Sequence, residues 1–156
     1  MKRILGALLA TALLVASSAF AQPTSATQSI TPLTRDLGAL KTLTAQGAAT
    51  VNSADQNGYN VSRVVCVLNQ ASHTGTPSTT FKLQNKDAAS GAYYDLITSA
   101  ATTADATPNF ISAGAGVATT ANVGAGVPLA KTWRVSVIVA GSATPVITGT
   151  VGCSVQ

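Results

Sequence analysis

Glutamate is missing from the 156 residues, histidine occurs once, cysteine twice, and charged side chains make up only 9% of the chain. Acid/base chemistry is therefore short of material. Five scattered aspartates supply no carboxylate pair for glycoside hydrolysis. They also form no cluster that would cage calcium, and zinc finds no set of four soft or imidazole ligands. His73, in the stretch NQASHTGTPST, is expected to be a solvated loop histidine. No Gly-x-Ser-x-Gly elbow selects a nucleophile for it, although triad members meet in space and not in sequence. The expectation is a non-enzyme with no catalytic, cofactor-binding or metal residues, and a small secreted hydrolase is the most distant reading.

Clustered cations are also absent. Lys41, Arg63, Lys82, Lys86, Lys131 and Arg134 stand singly, whereas a nucleic-acid surface gathers cations and interleaves aromatics. No nucleic-acid partner is expected. Residues 1–21 read as a cleavable signal peptide: Met1-Lys2-Arg3 is a basic head, Ile4 to Val15 an apolar run, and Ala19-Phe20-Ala21 a cleavage site before Gln22. Cleavage removes two cations, so the formal +4 of the whole chain falls to +2. The apolar run is short for a membrane span and none follows, so no stable membrane anchor is expected after cleavage. The protein is expected to be secreted or periplasmic.

What is abundant is Ala, Thr, Val, Ser and Gly, in short β-prone runs separated by turn formers. That composition predicts an all-β fold, a single antiparallel β-sandwich of jelly-roll or Ig-like type over residues 39–156. An extended polar arm is expected over 22–38, beginning with the polar, Pro-containing QPTSATQSITPLT. LKTLTAQGAATV alternates imperfectly and predicts a strand, followed by a connection at Asn57-Gly58. RVVCVLNQ sets Val64, Cys66 and Leu68 against Val65 and Val67, apolar on both faces as in a central strand. SHTGTPSTT reads as a loop. TFKLQNK and YYDLIT, joined by DAASGA, predict a hairpin.

Two copies of Gly-Ala-Gly-Val begin at Gly114 and Gly124. A dinucleotide fingerprint would place a third glycine where Thr119 and Leu129 stand, and would open a helix behind it. These glycines instead predict sheet edges or turns where backbones approach closely, with Val117, Val123, Val127 and Leu129 available to a core. Trp133, Val135, Val137 and Val139 then share one face, making Trp133 a core anchor. GSATP reads as a turn, and VITGTVGCSV as a closing strand with Ile147, Val151, Cys153 and Val155 on one side. Two cysteines on inward positions of an exported chain predict a Cys66–Cys153 disulfide.

The order VSRVVCVLNQ, TTFKLQNKDAASGAYYDL and KTWRVSVIVAG followed by PVITGTV resembles small all-β proteins encoded among bacteriophage and prophage virion genes. The matching residues are Lys82-Leu83-Gln84, Asp87, Gly91, Tyr94-Asp95 and Trp133-Arg134-Val135. The resemblance implies a virion-surface, capsid-decorating module. The leader and the cysteine pair favour an exported, non-enzymatic structural or adhesive module at the bacterial envelope, with the virion role as the alternative. Either would work by protein association or self-association, through strand edges or the arm.

Overall fold

The computed structural model describes residues 34–156, so the expected signal peptide and residues 22–33 of the arm lie outside the described residues. Eight strands follow in order: β1 (Arg35–Gly47), β2 (Ala49–Asn52), β3 (Gln56–Asn57), β4 (Arg63–Lys86), β5 (Tyr93–Thr98), β6 (Asn109–Gly114), β7 (Gly124–Ala125) and β8 (Thr132–Val155). No helix occurs among the described residues. The fold is all-β, as the β-prone composition requires, and its strands form one hydrogen-bonded sheet with the path β1-β8-β4-β6-β7. β2 and β3 also pair with β8, and β5 with β4. Every pairing is antiparallel except β6 with β7, which is parallel at Ser112 and Ala113.

The two 24-residue strands, β4 and β8, pair along almost their whole length and organise everything else. Two stretches expected to be loop and turn are thus strand. SHTGTPSTT runs inside β4 and GSATP inside β8, because each lies opposite the other and their backbones complete a ladder from Thr76↔Ser142 to Ser78↔Ala140. The turn formers act here as bends within strands. Register breaks between Gln70 and Ser72 and between Thr74 and Thr76, and Gly141, Ala143 and Thr144 take positive φ. A Cβ on Gly141, at φ 131°, would stand 2.1 Å from the Thr76 carbonyl oxygen, so only glycine fits.

The bend is sharp. Nine residues of extended chain span about 30 Å, yet the Thr79 hydroxyl donates to the Gln70 side-chain oxygen over 3.1 Å. Across it the inward set of β4 changes from even to odd, from Val64, Cys66, Leu68 and Gln70 to Thr79, Phe81 and Leu83. Both halves contribute to one core, which Trp133, Val135, Val137, Ile147 and Val151 join from β8 and Leu43 from β1.

Cys66 and Cys153 stand directly opposite in the β4–β8 register and are bonded, with Sγ atoms 1.96 Å apart. Trp133 is fully buried, as an anchor should be, but its Nε1 has no hydrogen-bond partner. The β4–β5 hairpin forms as the alternation predicts, its turn held by Asp87, which accepts from the Ser90 backbone N–H at 3.0 Å. β1 begins at Arg35, so the last four positions of the stretch read as arm belong to the sheet.

The glycine-rich stretch ends one side of the sheet and turns the chain. Gly114 has φ 146°, and a Cβ there would meet the Ser62 carbonyl oxygen at 2.3 Å. Of the four apolar residues expected to reach a core from it, Leu129 packs against the core and Val117 is half-buried, while Val123 and Val127 are exposed. β7 is only two residues long and cannot carry them inward.

Candidate functional site

Three places bring chemistry-bearing side chains together. The first is at the bend of β4. His73 is not in a loop: it sits on β4, half-buried, with Nδ1 2.7 Å from Asp105 Oδ1. The buried Gln70 donates to the same oxygen over 3.2 Å and accepts from Thr79. The bond from His73, reinforced by that from Gln70, holds the Asp105 carboxyl below its ordinary range despite a smaller opposing effect of burial. An imidazole oriented by a carboxylate is one part of a triad. No hydroxyl among the described residues hydrogen-bonds to the His73 ring. The chain Thr79, Gln70, Asp105, His73 instead ties the two halves of β4 to the 105–106 segment, where the Ala106 N–H donates to the Gln70 carbonyl over 2.9 Å.

The second is a polar ladder on the solvent face of β5, β4 and β8. It follows from the outward parity of Lys82, Gln84, Lys86 and Arg134. Lys82 and Gln84 both donate to Asp95, at 2.5 and 2.7 Å, and Arg134 Nε donates to Gln84 at 2.9 Å. The Arg134 guanidinium lies 3.4 Å from the centre of the Tyr93 ring. The Tyr93 hydroxyl in turn donates to Asp55, which Lys86 reaches at 3.1 Å. These two bonds, from Tyr93 first and then Lys86, hold the Asp55 carboxyl below its usual range. Burial pushes Asp95 up, but the bonds from Gln84 and Lys82 outweigh it and the net direction is down. Sequence reasoning missed this network, because Asp55 and Tyr93 are 38 residues apart and no local pattern joins them.

The third is a groove of about 500 Å³ on the opposite outer face, lined by Thr34 and Asp36 of the β1 end, Val65, Val67 and Asn69 of β4, and Thr150, Gly152 and Ser154 of β8. One row crosses four strands here: Ala39 pairs with Gly152, Gly152 with Val67, and Val67 with Phe110. Gly152 has no side chain, and the Gly38 carbonyl oxygen of β1 stands 3.3 Å from where its Cβ would be, so the floor there is backbone partly overhung by β1. Val67 is 36% and Phe110 52% exposed, an apolar cross-strand pair facing water. Expectation had Val65 and Val67 covered as in a strand buried on both faces; Val65 is half-buried and Val67 exposed.

Of the residues singled out from sequence, Cys66 and Cys153 meet and Trp133 is buried, all within the core. Among the described residues no three His, Cys, Asp or Glu side chains converge on a metal position, and no helix is long and apolar enough to cross a membrane. No protein-family model matches the chain, and no curated protein matches it.

Proposed function

We propose that the protein is an exported, non-enzymatic β-sandwich that serves as a structural or adhesive module at the bacterial envelope, working by association with other protein surfaces. The sandwich reading rests on the sharp bend of β4 and on the single core fed by both halves of the sheet. Export accords with the disulfide, since paired cysteines persist in oxidising compartments. The observation that carries the associative role is the exposed Val67–Phe110 pair beside the groove. Cross-strand apolar pairs of this kind stabilise when covered and cost free energy when wet.

Light scattering of the protein purified from its native compartment tests this reading. A concentration-dependent mass above that of one chain is expected, together with an N-terminus at Gln22. A monomer at all concentrations, combined with a hydrolase activity that disappears in His73→Ala, would overturn it in favour of an enzyme. Recovery inside phage particles with Met1 intact would move the module to the virion surface.

A further inference from the structure

We propose that the outer groove across β1, β8 and β4 receives residues 22–33 of a second copy of this chain, so that copies associate by arm exchange; the inference rests on the associative reading above and names the surface and its occupant. The groove is built for a chain lying on a sheet face. Its floor is Val65 and Val67 beside the side-chain-free Gly152, with Phe110 adjoining, and its walls are the polar Asn69, Thr150, Ser154 and Asp36.

The edges at the two ends of the strand path compete poorly for the same role. The register of β1 breaks three times along its pairing with β8, and β7 offers two residues at the other end. Bulged and short edges resist the addition of another strand. A partner therefore gains more from a face that accepts side chains than from an edge that would demand an unbroken ladder.

The occupant is chosen by where the chain enters and by its chemistry. Thr34 itself lines the groove, so residues 22–33 join the fold at that rim. The segment QPTSATQSITPL carries no charged side chain, and Ile30 and Pro32 share alternate-residue parity with Thr34. Laid out, such a segment would set Ile30 and Pro32 on one side near Thr34, with Ala26 and the polar Gln22, Thr24 and Gln28 further along that side, so its apolar contribution is concentrated next to the rim. Twelve extended residues reach about 40 Å, enough to leave one copy and cross the groove of the next. Arg35 pairs with Val155, and the Gln156 side chain donates to the Thr34 hydroxyl at 3.4 Å. β1 therefore begins opposite the end of β8, at the rim of the groove.

Two full-chain variants test it: Val67→Asp spoils the groove and keeps the arm, whereas Ile30→Asp spoils the arm and keeps the groove. Val67 lies outside the core, and unchanged melting points verify folding of both variants. Each alone is expected to weaken self-association at least tenfold, because an aspartate entering an apolar contact is buried without a partner. Mixed in equal amounts, the two should form a heterodimer, since one sound arm meets one sound groove. Tyr94→Ser, distant from the groove in the β4–β5 hairpin, serves as the control and should leave association unchanged. Loss in both variants without recovery on mixing overturns exchange between copies. Assembly that survives both substitutions overturns the groove and leaves the associative reading standing. A parent chain that is monomeric throughout overturns both.

Discussion

Reducing the Cys66–Cys153 bond should cost about as much stability as the largest core truncation here. The bond closes a sequence separation of 87 residues. Loop-closure entropy for that length amounts to about 4.6 kcal/mol at 25 °C. Both half-cystines are buried, 0% and 4% exposed, so reduction leaves two thiols in the same apolar place and adds little cavity penalty. For about 120 ordered residues the unfolding entropy near 60 °C is roughly 0.25 kcal/mol per degree, which converts the loss into a fall of about 15–20 °C. The assay is calorimetric melting with and without a phosphine reductant, with thiols counted by intact mass. Cys66→Ala/Cys153→Ala should fall at least as far, because it also removes the buried sulfurs. A reduced protein with both thiols free that melts within about 3 °C of the oxidised one would refute the reasoning. It would mean that the long β4–β8 ladder already restricts the unfolded chain as the cross-link does.

Gly141→Ala should destabilise by several kcal/mol, on the order of a core truncation, because its Cβ collides with the Thr76 backbone and not with a movable side chain; chemical denaturation reads this directly. Trp133→Ala should cost about 3–5 kcal/mol. Trp133→Phe should cost distinctly less, since the deleted Nε1 makes no hydrogen bond and its removal relieves a buried, unpaired donor. Asp55, Asp87 and Asp105 have carboxyls held below the ordinary 3.8 in the folded protein. Their contributions are complete above the unfolded values and are lost as pH falls through the folded ones. Melting temperature should thus be flat near neutrality and decline below about pH 4, with a shallower acid limb in His73→Ala.

The parts of the fold that follow from local pattern were legible. Alternation marked Phe81 to Gln84 and Trp133 to Val139, and the residues it set inward are buried, with Ser136 of the other parity buried beside them; in Val64 to Leu68, read as apolar on both faces, only Val64, Cys66 and Leu68 are buried. The Cys66–Cys153 pair followed from compartment and parity together. The strand continuity of 71–78 and 140–145 was not legible, because Gly, Ser, Thr and Pro there signal a turn locally. Only the opposing strand, with an equal bend, converts two turns into one folded-over ladder. β6 escaped for a different reason: Ile111 and Ala113 are its only core side chains, and a six-residue run between Pro108 and glycines shows little periodicity. The His73–Asp105 pair and the Tyr93–Asp55 and Arg134–Gln84 links of the polar ladder join residues 32 or more apart, and such contacts follow from tertiary register alone.

The two outer faces of the sheet differ in a way that makes the mode of association separable by salt. On the face of β5, β4 and the first half of β8, cations and carboxylates neutralise one another: Lys82 with Asp95, and Lys86 with Asp55. A partner docking there must break or desolvate these pairs, and its own charges would be screened within about 8 Å at physiological ionic strength. The groove face presents Val65, Val67 and Phe110, and the side chains of residues 22–33 bring no charge to it. Association through the groove is therefore driven by apolar burial, which added sulfate strengthens and cooling weakens. Sedimentation velocity across sodium chloride from about 0.05 to 0.5 M, and again with sulfate, reads the difference. The dissociation constant should change less than about threefold with chloride and should fall with sulfate. A steep weakening with chloride would place the contact on the polar ladder and would exclude the groove as the principal interface.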